Sequence, residues 1–384
     1  MMRGKLAATL GVLLLAACTG GGGEVADLKP GERPDIETDE AGLWMQMDRV
    51  EAQLKSSGRI VADPALNRYI RDVTCRLSAE YCKDLRLYIV QTPHFNASMS
   101  PNGTMQVWTG ALLRIRNESQ LAYVLGHEMG HFIRRHSVQR WRSIRSKSDG
   151  MAFFTVSTRM AGLGFVGDLA ELASMASVMA FSRDHERESD EIGFEMLTGA
   201  GYRAGDAPKI WESLIAEREA AGADKPSVFF SSHPTTEERI ETLRNKSVAA
   251  GEAGDDGRKR YLAAIGPHRG EWLKDELRKR DFDGTEALLA QLLADGYRPG
   301  EILFYQGELH RQRGDEGDIA KAIGLYRKAA AAKGAPPEVH RSLGMLYWKS
   351  SQSANARKSF RHYLRAAPKA EDRAMIQSYI DQLK

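Results

Sequence analysis

His127, Glu128 and His131 stand in the run His127-Glu128-Met129-Gly130-His131. Positions four apart share one face of a helix, so both imidazoles can reach a single ion while Glu128 projects beside them. A carboxylate in that place can hold and deprotonate a water, which is the H-E-x-x-H arrangement of zinc-dependent hydrolysis. A catalytic zinc usually takes three protein ligands and keeps its fourth position for water. The third ligand must come from elsewhere, and Ser182-Arg183-Asp184-His185-Glu186-Arg187-Glu188-Ser189-Asp190 is a dense candidate. Glu186 and Asp190 also lie four apart, so Glu186 can bind metal while Asp190 orients a ligand from behind. His185, Glu188 and Glu191 are weaker rivals. His136 is another, but five residues past His131 on one continuous helix it would face away. Without the two histidines, residues 182–190 would read as a solvated helix face.

These side chains need helices to hold them. Asn117 followed by Gln120 can cap a helix start, and the apolar spacing of Leu121, Val124, Leu125, Phe132 and Ile133 carries that helix to about residue 144. A second helix is predicted over residues 182–198, stopped by Gly199 and Gly201. Upstream, residues 43–77 read as mostly helical, with Asp63-Pro64 opening the second helix. Residues 85–91 read as a strand, and residues 95–99 and 104–109 as a hairpin about Asn102-Gly103. The later hairpin strand, at 105–109, is the expected outer edge, open to an extended substrate backbone. Residues 151–181 are rich in Ala, Met and Phe but carry Arg159, Asp168 and Glu171, so they read as buried or groove-lining helices.

The ends of the chain differ in character. Arg3 and Lys5 precede an apolar run at 6–17, too short to span a bilayer, which ends at Leu15-Ala16-Ala17-Cys18. That is the layout of a secretory signal, residues 1–17, and Cys18 resembles the lipidated cysteine of bacterial lipoproteins. Thr19 after it favours the outer membrane over the inner, with the body of the chain in the periplasm. Residues 18–42 read as a flexible linker. Of three cysteines, Cys75 and Cys82 remain, and an exported chain can pair them. Across an unbroken helix their Cα atoms would lie about 10 Å apart, so the helix must end near residues 78–80. The composition, 42% hydrophobic and 27% charged, suits globular domains, and a formal net charge of +3 without a basic cluster argues against nucleic acid as a partner.

Residues 43–248 therefore read as the metal-bearing domain and 249–265 as a linker. Residues 266–384 are helix after helix. Leu343, Gly344, Tyr347, Ala356, Phe360 and Pro368 fall at tetratricopeptide spacing, and Gly307, Ala322 and Tyr326 give a weaker copy. The alternative is a helical bundle without repeat ancestry.

The H-E-x-x-H helix, followed 55 residues after His131 by E-x-x-x-D in a Ser-Arg-x-x-Glu context, resembles the HtpX and CAAX-prenyl-protease family of gluzincin metallopeptidases. Its soluble periplasmic, BepA-like branch joins such a domain to C-terminal tetratricopeptide repeats. The resemblance covers roughly residues 45–243. It implies an α+β fold: a mainly helical metallopeptidase domain with a small sheet or hairpin, followed by an all-α repeat domain. It implies one zinc ion per chain on His127, His131 and Glu186, with Glu128 as general base and Asp190 behind the ligands. Asn96-Ala97-Ser98 through Val107 is similar to the family's hairpin beside the active-site helix. Ser232-His233-Pro234-Thr235 through Arg239 is similar to its His-Pro motif. There His233 could cap the open zinc position or, like Arg239, steady an oxyanion. Ser189 departs from the family's usual Ala.

The implied substrates are unfolded or misassembled envelope polypeptides, with a protein partner on the repeats and the membrane reached through lipidated Cys18. A competing expectation is a membrane-tethered chaperone or assembly factor acting mainly through the helical repeats. A purely structural zinc is disfavoured, since such sites are usually four-liganded and rich in cysteine.

Overall fold

The computed structural model describes residues 25–145, 177, 180–222, 224 and 227–383. The expected signal segment, Cys18 and most of the 151–181 segment lie outside the described residues. Among the described residues, no helix is long and apolar enough to cross a membrane.

Helices α1 (Asp39–Ser56) and α2 (Pro64–Leu77) lead into a three-stranded sheet. Asp63 caps α2 by accepting from Leu66 N at 2.7 Å, with Pro64 at the first helical position. The helix stops at Ser78, and Cys75 and Cys82 form a disulfide with their Cα atoms 4.9 Å apart. Strands β1 (Arg86–Val90), β2 (Ala97–Met99) and β3 (Thr104–Trp108) lie in the order β1-β3-β2, β3 being parallel to β1 and antiparallel to β2. The hairpin forms as the Asn-Gly turn predicts, but the expected outer strand is the central one. The edge strand on that side is β2, with Ala97 and Met99 buried. Trp108 N donates to Asn96 O and Ser100 N to Thr104 O, so alternation turns the N–H and C=O of Ala97 and Met99 away from β3.

After α3 (Thr109–Arg114) comes α4 (Glu118–Ile133), capped at Asn117, whose side chain accepts from Gln120 N at 2.8 Å. The Gln120 side chain reaches back to Arg116 N at 2.8 Å, closing the start from the other side. The single helix expected to residue 144 is in fact two. Arg135 takes φ +56°, a left-handed conformation that ends one helix, and α5 (His136–Arg145) restarts in a new direction. Arg135 also pairs with the buried Glu40 of α1. Leu43 and Met47 of α1 pack against Val138, Trp141 and Ile144 of α5 in a small core of their own.

Helix α6 (Arg183–Gly199), capped by Ser182, lies against α4 with almost nothing between the two backbones. A Cβ on Gly193 would stand 2.8 Å from His127 N, one on Gly130 2.9 Å from Ser189 Cα, and one on Gly126 3.1 Å from Gly193 Cα. These contacts are with backbone, which cannot swing aside.

The chain continues through α7 (Ala207–Ala221), the short α8 (Val228–Ser232) and α9 (Glu237–Ala250). Part of the expected linker at 249–265 is helix α10 (Arg258–Ile265), whose fully buried Tyr261 donates to Leu112 O. The early linker is likewise tied down. Leu28 is buried, its N–H donates to Ile133 O at 2.8 Å and its carbonyl accepts from Tyr81 at 2.6 Å. Beyond α10 stand α11 (Arg269–Arg278), α12 (Phe282–Ala294), α13 (Pro299–Arg313), α14 (Asp318–Ala331), α15 (Glu338–Lys349), α16 (Ser353–Ala366) and α17 (Arg373–Gln382). Added Cβ atoms on Gly307 and Gly344 would meet the rings of Tyr326 and Phe360 at 2.5 and 2.4 Å, so small-against-aromatic contacts join α13 to α14 and α15 to α16. The main core runs unbroken from Leu28 to Leu383. The architecture is mainly helical with one small sheet.

The glycine contacts make a graded prediction. Gly193→Ala should lower stability to urea by about 1–3 kcal/mol, the usual cost of forcing atoms into a packed interior. Gly199→Ala, at the open end of the same helix with nothing within 4 Å, should be neutral or slightly stabilising. Equal midpoints for the two variants would refute the contact as a constraint.

Candidate metal centre

Helix α4 presents His127, Glu128 and His131 from its buried middle, and α6 presents Glu186 and Asp190 from its first two turns. Because the helices touch at glycines, the Glu186 carboxylate reaches both imidazoles. Its Oε2 lies 3.6 Å from His127 Nε2 and its Oε1 3.4 Å from His131 Nε2, while the two Nε2 atoms are 3.2 Å apart. His233 comes from the end of α8 and sets Nδ1 3.1 Å from Glu186 Oε1. One donor atom from each of His127, His131, Glu186 and His233 lies within 4.8 Å of all the others, and all four residues are buried. Glu128 stands at the rim, with Oε1 3.8 Å from His233 Nε2 and no hydrogen-bond partner for that oxygen.

Asp190 sits behind this cluster. Its Oδ1 is 3.1 Å from His127 Nδ1 and accepts from the Tyr123 hydroxyl at 2.8 Å. Arg239 donates to it from Nε at 2.6 Å and from Nη2 at 2.9 Å. The third nitrogen of Arg239 lies 2.6 Å from Glu186 Oε2 and donates to Pro234 O at 2.8 Å. The guanidinium thus underlies both α6 carboxylates, with its donors committed there rather than to an oxyanion position. His233 is held by a stack of rings: Phe229 lies 4.7 Å from it at 17°, and Trp211 lies 5.1 Å from Phe229 at 23°. Trp211 Nε1 also donates to the Tyr123 hydroxyl at 3.3 Å.

Three buried carboxylates, Glu128, Glu186 and Asp190, face one buried guanidinium. With neutral imidazoles that leaves an excess of two negative charges, which suits a divalent cation. The donor set of imidazole nitrogens and carboxylate oxygen suits zinc. Burial favours the neutral form of Glu186, but His233 and His131 outweigh it and hold its carboxyl well below the ordinary range. Burial likewise opposes ionisation of Asp190, and hydrogen bonds from Arg239 and His127 prevail, lowering its pKa. Glu128 goes the other way: burial raises it, against the pull of His233 and His127. Burial lowers His131 far below the usual imidazole value, while Glu186 and Glu128 together raise His233 despite its burial.

The structure therefore brings together every residue singled out for the site: His127, Glu128, His131, Glu186, Asp190, His233 and Arg239. The rivals fall elsewhere. His185 and Glu188 lie behind His131 around His136, and Glu191 pairs with Lys246 away from the cluster. His136 does not face away as a continuous helix would require. The break at Arg135 returns its ring to 3.0 Å from His131 Nδ1. Tyr123, Trp211, Phe229 and Phe181 were missed. Tyr123 was findable, one turn before His127 on the same face. Phe181, stacked on His131 at 3.9 Å and 25°, gave no signal because its position depends on tertiary packing.

Residues 62–247 match the family described as Peptidase family M48. The chain is 25% identical to a beta-barrel assembly-enhancing protease of Yersinia pestis, over 94% of this chain and 83% of that protein. It is 26% identical to the Escherichia coli (strain K12) protein of the same name, over 54% of this chain and 44% of the relative. It is 31% identical to the mitochondrial metalloendopeptidase OMA1 of Schizosaccharomyces pombe, over 41% of this chain and 45% of that one. The chain thus spans most of the first relative and less than half the length of the other two.

The Asp190 clamp should be visible as a pH dependence. A carboxylate whose folded pKa is depressed stabilises the fold above its unfolded value, near 4, and loses that contribution as pH falls through the folded value. In metal-free protein, Asp190→Asn should cost about 3–5 kcal/mol near neutral pH, the range for breaking a buried ion pair. The deficit should shrink as the pH is lowered below 4. A deficit that is constant in urea titrations from pH 7 down to pH 3 would contradict the assignment.

Proposed function

Because the chain belongs to peptidase family M48 and is a metalloendopeptidase, we propose that it hydrolyses unfolded or misassembled cell-envelope polypeptides with one zinc ion held by His127, His131 and Glu186. The observation that carries this reading is the convergence of those three donors within one buried cluster, with an unpartnered Glu128 oxygen beside it. Zinc held by these residues would supply Lewis acidity to polarise a scissile carbonyl and acidify the attacking water.

The protein groups divide the remaining work. Glu128 takes the proton of the attacking water and passes it to the leaving amine, a role suited to a carboxyl whose pKa burial has raised. Asp190 holds His127 in orientation, Arg239 keeps Asp190 ionised and lies against Glu186, and His233 and His131 keep Glu186 ionised. His233, a fourth donor beside Glu186, would either cap the ion or steady the oxyanion.

Substrate would add along the edge strand β2, whose Ala97 and Met99 main-chain groups turn away from β3. Both residues are buried, so an added strand must first displace what covers them. Main-chain pairing reads little of the side chains and needs an extended substrate. Unfolded polypeptides meet that requirement, and two of the relatives are named for enhancing β-barrel assembly. Lipidation of Cys18 would tether the enzyme to the outer membrane from the periplasm. The C-terminal helical hairpins, read as divergent tetratricopeptide repeats, would engage a protein partner.

Glu128→Gln tests the mechanism. The variant should retain zinc at parental stoichiometry while casein digestion falls by a factor on the order of 100 or more, as expected for loss of a general base. Comparable digestion by the variant would remove Glu128 from the reaction. Full rescue of an envelope-assembly defect by the same variant would move the main function to the helical region.

A further inference from the structure

We infer that His136 is a positioning residue for the metal centre, fixing the tautomer and ring orientation of His131 through a hydrogen-bonded line that continues to Glu188. The inference rests on reading His131 as a metal ligand. His131 turns Nε2 toward His127 and Glu186, at 3.2 and 3.4 Å. Its other nitrogen, Nδ1, therefore points out of the cluster, and there it meets Nδ1 of His136 at 3.0 Å. Nε2 of His136 lies 3.0 Å from Glu188 Oε2.

The tautomers along this line are fixed by one condition. A His131 that offers the Nε2 lone pair to a metal carries its proton on Nδ1. That proton needs an acceptor, so His136 presents a bare Nδ1 and carries its own proton on Nε2, where the Glu188 carboxylate accepts it. The reverse assignment would protonate His131 Nε2 and close it to metal, and would set a His136 lone pair against a carboxylate. The site then treats its two histidines alike in chemistry but not in distance. His127 has a carboxylate, Asp190, directly on Nδ1, and His131 has one relayed through an imidazole.

His136 is built into this position. A continuous helix would set residues 131 and 136 about 140° apart around the axis, and the left-handed Arg135 brings the two rings together. The ring is fully buried, stacks on His185 at 4.1 Å and 15°, and has the Ser189 hydroxyl 3.4 Å from its Nδ1. His185 is itself 3.3 Å from Gln139 Oε1. Carboxylate–histidine relays behind a metal ligand fix its tautomer and raise its basicity.

The test compares full-length His136→Phe, His136→Asn and Glu188→Ala, reading zinc affinity by competition with a chromophoric chelator and the visible ligand-field bands of the cobalt-loaded protein. His136→Phe keeps a flat ring without an acceptor and should weaken zinc binding roughly 10–100-fold, with altered cobalt bands. His136→Asn restores an acceptor near the Nδ1 position and should return affinity to within about threefold of the parent, with parental bands. Parental affinity in His136→Phe would overturn the inference, as would equal losses in the Phe and Asn variants, which would mean packing alone. Should His136→Phe not fold, Glu188→Ala decides: weakened binding supports the relay and parental binding overturns it. Glu186→Ala separates the two readings. If that variant keeps parental zinc affinity, the metal site itself is wrong; if it loses zinc while His136→Phe does not, only the relay is wrong.

Discussion

The centre depends on two helices meeting backbone to backbone. Side chains from α4 and α6 share one cluster because Gly126 and Gly130 on one helix, facing Gly193 and the small Ser189 on the other, let the two backbones approach closely. A carboxylate is short. Ordinary helix packing places axes 8–10 Å apart according to the side chains at the contact, and residues larger than glycine would hold Glu186 away from both histidines. The H-E-x-x-H spacing supplies two donors on one face, but closeness of a second helix turns two donors into three. Gly130 lies inside the motif itself, so one five-residue run carries donors, base and contact surface.

That closeness creates an electrostatic difficulty which the same region resolves. Glu186 and Asp190 are buried within one turn of each other, and Glu128 is buried nearby. Isolated carboxylates in such a place would take up protons. Arg239 prevents this for Asp190 with a planar fork, a geometry a lysine could not reproduce, while His233 and His131 do so for Glu186, against which the third guanidinium nitrogen also lies. Glu128 has no such partner and is left with a raised pKa. The three carboxylates are therefore pushed in two directions, Glu186 and Asp190 toward the ionised form and Glu128 toward the neutral one.

The sequence carried what depends on local spacing. The capped start of α4, the Asp63-Pro64 helix start, the Asn-Gly hairpin and the Glu186/Asp190 pair all follow from residues a few positions apart. Features set by tertiary contact were not legible. Arg135 has no intrinsic preference for a left-handed conformation, and its partner is Glu40, 95 positions away. Missing that break turned His136 from a neighbour of His131 into a residue facing away. The position of β3 at the centre of the sheet was lost for the same reason, since its parallel partner β1 is not its neighbour in the chain. The tie between Leu28 and α4 is equally long-range, and a Gly/Pro-rich composition gave no hint of it.

The C-terminal helices complete the argument about rigidity. Arg114, at the end of α3, is fully buried between Glu217 of α7 and Glu276 of α11, and Glu118 at the start of α4 receives Arg76, Arg260, Tyr69 and Tyr202. Separating α11 from α3 would take Glu276 away from Arg114 and leave Glu217 as the carboxylate paired with that guanidinium. Tyr261 adds a buried aromatic ring to the joint. The helices after residue 257 are therefore part of the frame that holds α4 in place.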